Sequence, residues 1–214
     1  SSEDASLAYR TRSSPRHGLL DPTSTWTERH RHRGTRERAL QIRAATRAWA
    51  HDLAARHGRV DGLVHLVGGW RGGTPIEEAP LEDWDFLSAL LVRTVQSATQ
   101  AFAPHLMASG RGRFVLVSSG QAQAPTHPNA AYAAAKAASE TWTLALADRF
   151  RGTGATANLV VVGAIVTPEL RAESPEKDFA TFTPAEEIAE AIAYLCSDAA
   201  ASMNGQRLTL RGAA

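Results

Sequence analysis

Leu63-Val64-His65-Leu66-Val67-Gly68-Gly69 is the stretch on which the fold reading turns. A run this short and apolar, stopped by paired glycines, is the pattern of a buried strand that runs into a tight turn. Upstream of it, Ala44 to His57 has helical spacing, with Trp49, Leu53 and Ala54 on one face and Arg47, His51 and Arg56 elsewhere, and Gly58 ends the helix. Downstream, the pattern predicts a long helix over Leu81 to Met107 and a strand over Phe114-Val115-Leu116-Val117. A helix over Asn129 to Phe150 and a strand over Asn158 to Val162 follow. Pro184 to Cys196 is a helix with proline in its first turn, and Arg207-Leu208-Thr209-Leu210 is a last short strand. Strands alternating with helices of this length imply a parallel sheet with helices on both faces, a doubly wound α/β architecture.

Bulk composition narrows the function. The 214 residues carry a formal charge of +1, which speaks against a dedicated binder of nucleic acid or acidic membranes. Leu159 to Val166 is the longest strongly apolar run and is far too short to span a bilayer. No basic-then-apolar leader is evident, and the one cysteine, Cys196, forms no intrachain disulfide; a soluble protein of the reducing cytoplasm is expected. Cys196 lies in an apolar helix and reads as a small buried hydrophobe. Only two of the 23 basic side chains are lysines, Lys136 and Lys177, so the placement of Lys136 carries weight.

Residues 1–43 read differently. They hold nine arginines against five acidic residues, and their apolar residues come in fragments such as Leu19-Leu20. A segment so polar buries little, so an irregular, mobile N-terminal part is expected before a regular domain over 44–214. Its cluster Arg29-His30-Arg31-His32-Arg33 reads as a solvated tail, without the acidic or cysteine ligands of a firm metal site.

Chemistry concentrates in Tyr132-Ala133-Ala134-Ala135-Lys136, where a phenol and an ammonium stand four residues apart in a strong helix former. That spacing puts both on one face, and the ammonium is expected to depress the phenol's pKa toward the range of a general acid or base. Thirteen residues earlier, Ser119 follows the strand Phe114–Val117, at the strand end where open α/β sheets bind ligands.

Taken together these features resemble the short-chain dehydrogenase/reductase family. Ser119, Tyr132 and Lys136 have its Ser-x12-Tyr-x3-Lys spacing. The stretch Gly58 to Val64 resembles the entry to its fourth strand, and His65-Leu66-Val67-Gly68 takes the place of its Asn-Asn-Ala-Gly. Asn158 to Thr167 matches its Asn-x3-Pro-Gly-x3-Thr segment, except for Val162 at the proline position, and Asn204 to Leu210 resembles its final strand. The resemblance implies a Rossmann-like fold and hydride transfer between NAD or NADP and a small carbonyl or alcohol. Tyr132 would exchange the proton, Lys136 would lower its pKa and hold the nicotinamide ribose, and Ser119 would orient the substrate oxygen. By position, Gly68 would lie beneath the adenosine side of the cofactor, with Gly163, Ile165 and Thr167 beside the nicotinamide. The loop from Pro168 to Thr183 resembles a variable substrate lid, and relatives suggest a homo-oligomer formed through the two long helices.

Two departures stand against this pattern. The family's Gly-rich cofactor turn, Thr-Gly-x3-Gly-x-Gly, is not found: upstream of residue 58 the chain has only Gly18 and Gly34, and no apolar strand precedes either. The βαβ half of the fold that carries that turn is therefore expected to be missing or replaced by the basic segment, leaving an exposed apolar edge at Leu63–Val67. Counting from Trp84, the family's catalytic Asn falls at Leu91, which cannot hold the water of its proton relay. A truncated or frame-shifted reductase, a non-catalytic pseudoenzyme that pairs through its helices, and a tail acting as an unfamiliar cofactor clamp remain the alternatives.

Overall fold

The computed structural model describes the backbone of residues 22–210 and the side chains of residues 40–210. By internal contacts the chain divides into two units, 1–40 and 41–214, and all that follows on packing belongs to the second.

Helix α1 spans Pro22–His57. It therefore begins well ahead of Ala44, and the irregular segment expected over 1–43 is helical from residue 22 onward. The expectation rested on the lack of an apolar face, which limits tertiary burial. It gave too little weight to the Arg, Glu, Gln, Leu and Ala that favour helix locally. Residues 1–21 and the side chains of Arg29 to Arg33 lie outside the described residues. Gly58 ends the helix at φ +73°, the left-handed conformation that costs a glycine least.

Four parallel strands form the main sheet, in the order β1 (Gly62–His65), β2 (Arg113–Ser119), β3 (Thr156–Val162) and β6 (Arg207–Thr209). Register pairs Leu63 with Phe114, Leu116 with Leu159, and Val161 with Thr209. Strands β2 and β3 are buried along almost their whole length, because helices cover both faces.

The period of two sorts their side chains. Phe114, Leu116, Ala157, Leu159 and Val161 meet Ala50 of α1, Val95, Phe102 and Leu106 of α3 (Thr94–Ser109), and Leu146 and Phe150 of α4 (Ala130–Phe150). Trp49 adds an edge-on contact to Phe102, with ring centroids 5.0 Å apart. On the opposite face Val115, Val160 and Val162 meet Ile188, Ala191 and Leu195 of α6 (Ala185–Cys196). Cys196 packs at the margin of this second core with a free thiol, which burial pushes above its usual pKa. The α/β fold with a parallel sheet is thus as expected. Among the described residues, β1 pairs with β2 alone, and Val64, Leu66 and Val67 beside its other edge are exposed.

Two local features depart from the sequence reading. The helix expected over Leu81 to Met107 is α2 (Leu81–Leu87), a π-helical turn (Ser88–Arg93) and α3. In the expected lid, α5 (Pro168–Glu173) is followed by β5 (Phe182–Pro184), which pairs in parallel with β4 (Ala164–Val166) as a separate two-stranded sheet.

Two asparagines lock the last strand in place. Asn158, fully buried, donates to Met203 O (2.8 Å) and accepts from Gln206 N (2.9 Å). Asn204 accepts from Ala157 N (2.9 Å) and donates to Ala147 O (2.8 Å). Asn158→Leu keeps the volume but leaves a part-buried amide and carbonyl without their protein partner, so urea unfolding should show a loss of about 1–3 kcal/mol. A loss within error would mean that water replaces both bonds.

Candidate active site

The carboxyl ends of β1, β2 and β3 open into one cleft of about 520 Å³. Its floor comes from the ends of β2 and β3 (Val117, Ser118, Val162), and Leu66 to Trp70, following β1, form one wall. Ile165, Ile188 and Ile192 form the facing wall, and Tyr132 and Lys136 enter from α4. Of the residues singled out in the sequence, Gly68, Tyr132, Lys136, Gly163 and Ile165 line this cleft. Ser119 and Thr167 are not on its wall.

Ser119 is buried at the end of β2 and caps the short 3-10 turn Gly120–Ala122, accepting from Gln121 N at 3.3 Å. Its hydroxyl favours the ionised form of the Tyr132 phenol, against the larger effect of burial. Thr167 caps α5 by accepting from Leu170 N at 3.2 Å. A Cβ on Gly68 would meet nothing closer than 3.7 Å, whereas one on Gly69 would stand 2.6 Å from a Leu90 methyl.

Tyr132 and Lys136 share a face of α4, one turn apart, with Nζ 5.9 Å from the phenol ring centroid. The ammonium turns toward the sheet and donates to Val117 O at 3.2 Å. The pKa of Tyr132 is raised rather than lowered: burial disfavours the phenolate, and the Ser119 hydroxyl only partly offsets it. The expected depression by Lys136 is therefore corrected. At this distance the ammonium does not overcome the desolvation of the phenol. Lys136 itself, 6% exposed, is pushed down to about 8 by burial, against an opposing pull from Glu140.

Three neighbours of this pair were given no role at the site by the sequence. Glu140, 2% exposed, accepts from Ser118 Oγ (2.5 Å), Gln123 Nε2 and Arg207 Nε (2.8 Å). Only its spacing of four from Lys136 hints at this role in the sequence. Trp70 Nε1 donates to Asn129 Oδ1 (2.9 Å), which fastens the glycine-rich wall to the start of α4. His65 is 5% exposed, and neither ring nitrogen has a hydrogen-bond partner. Burial, helped by the charge of Lys136, lowers its pKa to about 4.

Leu91, at the position of the expected Asn, is buried with Leu87 against Ala135. Its carbonyl accepts from Ser139 Oγ at 3.0 Å.

Among the described residues no three metal-ligating side chains converge, and no helix is long and apolar enough to cross a membrane.

Comparisons with known proteins give the family. The family model described as enoyl-(acyl carrier protein) reductase matches residues 39–212. D-threitol dehydrogenase of Mycolicibacterium smegmatis is 32% identical over 179 residues, covering 79% of this chain and 68% of that protein. An NADPH-dependent aldehyde reductase-like protein of Arabidopsis thaliana is also 32% identical, over 64% of this chain, and the match spans only 54% of its own length. Among solved structures, a gluconate 5-dehydrogenase from Burkholderia cenocepacia in complex with NADP and tartrate superposes with a TM-score of 0.69. It is 27% identical, covering 79% of this chain and 70% of its own. The chain belongs to the short-chain dehydrogenase/reductase family.

The neutral state of His65 has a cost in acid. The unfolded chain takes up its imidazole proton near pH 6.5 and the folded one only near 4, so stability falls as pH drops through that window. Urea midpoints at pH 7 and pH 5 should differ, by up to about 3 kcal/mol of folding free energy across the full window. In His65→Leu this dependence should shrink; an equal dependence in both proteins would assign it to other groups.

Proposed function

We propose that residues 44–214 form the catalytic part of an NAD(P)-dependent oxidoreductase that interconverts a small carbonyl and its alcohol. The observation that carries the reading is that Tyr132 and the buried Lys136 enter, from one face of α4, a largely apolar cleft at the strand ends, with Ser119 next in the chain to the cleft residue Ser118.

The bound nicotinamide would supply or accept the hydride at the carbonyl carbon. Gly68, Gly163 and Ile165 border the space it would occupy, Lys136 would hold its ribose, and Thr167 would act beside it through the backbone it caps. The cleft fits this end of the cofactor, for its walls are mostly glycine and aliphatic side chains with Trp70 among them, and its polar groups are Ser118 of β2 and Tyr132 and Lys136 of α4. The sequence provides no Gly-rich turn for the pyrophosphate. The relative named D-threitol dehydrogenase supports a hydroxylated small substrate, and the neighbour that holds NADP supports a nicotinamide cofactor.

The protein's own part is proton transfer and positioning. A phenol with a raised pKa is protonated at neutral pH, so Tyr132 is set to donate its proton to a carbonyl oxygen as the carbonyl is reduced. Ser119 would hold that oxygen by a hydrogen bond. Lys136, titrating near neutrality, would return a proton to the phenolate. Leu91 provides no side-chain ligand for a relay water, which favours a second reading, a non-catalytic family member that pairs through α3 and α4. An assembly of identical chains is compatible with both.

Cofactor fluorescence distinguishes them. Titration with NADPH and NADH should saturate, and Lys136→Ala should weaken binding. Tyr132→Phe should bind as well as the parent yet reduce carbonyl substrates at least about 100-fold more slowly. No saturable binding at millimolar cofactor would remove the redox reading and leave the non-catalytic one.

A further inference from the structure

The hydrogen bonds of Glu140 join four separated pieces of chain. Ser118 stands at the end of β2, Gln123 follows the turn capped by Ser119, Arg207 opens β6, and Glu140 lies on α4 one turn beyond Lys136. A carboxylate that accepts three donors while almost wholly buried has little freedom to move. One helical turn from Lys136, it is also, among the described residues, the acidic group that pulls that amine's pKa upward. The other polar and charged groups facing that ammonium are His65 from β1, which is neutral, Tyr132 from α4, and the Val117 carbonyl of β2. From β6, Arg207 reaches it only through Glu140.

We propose that Glu140 is a positioning residue of the site: it clamps the Ser119-bearing turn against α4 and serves as the buried counter-charge of Lys136. The inference rests on the catalytic reading of Lys136, but its geometry stands independently. Ser118 and Gln123 flank Ser119 on both sides, so the clamp fixes its hydroxyl. Charge at Lys136 and placement of Ser119 thereby depend on one carboxylate. Arg207 tempers that carboxylate from the solvent side, where its own side chain is 40% exposed.

With only two lysines in the chain, lysine labelled isotopically at the ε carbon gives two NMR signals, and the exposed Lys177 serves as internal control. The whole chain is titrated without cofactor. The parent's Lys136 signal should titrate near pH 8. In Glu140→Gln the midpoint should fall by about one pH unit, since an opposite charge one helical turn away favours the ammonium. In Arg207→Gln it should rise, because Glu140 loses its competing partner. A role confined to packing would move both variants the same way or neither, and either result overturns the proposal. If Glu140→Gln does not fold, Arg207→Gln decides alone: a midpoint unchanged or lowered overturns it. Because the readout is a lysine's charge and not turnover, it can succeed where cofactor binding fails, and the reverse.

Discussion

A primary ammonium held at 6% exposure, at the carboxyl end of a parallel sheet, is the constraint around which this site is arranged. Burying a charge is costly unless partners compensate it, and the nearest compensation available in a sheet is a strand carbonyl. Val117 provides that carbonyl at 3.2 Å, and Glu140 provides the opposite charge from the same helix. The incomplete balance leaves Lys136 close to its titration point at neutral pH. Burial, with the same ammonium adding to it, keeps the neighbouring imidazole of His65 unprotonated.

The surrounding walls follow from the same economy of space. Trp70 is fastened to Asn129, and Gly73 N donates to Pro128 O at 2.7 Å, so the glycine-rich stretch after β1 lies against the loop that leads into α4. A Cβ on Gly72 would stand 2.6 Å from Asn129 Oδ1, which is the physical reason for a glycine there. Arg71 stacks 3.8 Å over Phe86 and pairs with Asp83, holding the far end of the same stretch against α2. The cleft is therefore bounded by a braced loop, even though that loop has no regular secondary structure.

Sequence periodicity was most informative where side chains repeat. The valine and leucine runs of β2 and β3, and the helical faces of α4 and α6, lie within a few residues of the spans expected from pattern alone. The pattern was silent where structure depends on distant partners. Ser118, not Ser119, reaches the cleft wall, because which face of a strand a residue occupies depends on a register the sequence does not display. Glu140 looked like any helix-surface acid until β6 brought Arg207 to it. The phenol of Tyr132 was misjudged in direction because spacing reveals a nearby charge and conceals the desolvation that outweighs it. The early start of α1 was missed for a different reason: helix can form on local preference without an apolar face.

The π-helical turn at Ser88–Arg93 bears on how this helix can change over time. Leu87, Leu91, Val95 and Thr99 are buried at intervals of four, whereas a regular α-helix repeats every 3.6 residues. Such a stripe would wind steadily away from α4, and one widened turn resets its phase. Deleting a single residue there would restore ideal geometry and rotate everything N-terminal to it by about 100°. Asp83 and Phe86 would swing off Arg71, and the braced loop would lose its anchor. Insertions and deletions in this segment are thus far from neutral, and the irregular turn is a length setting that the lineage is obliged to keep.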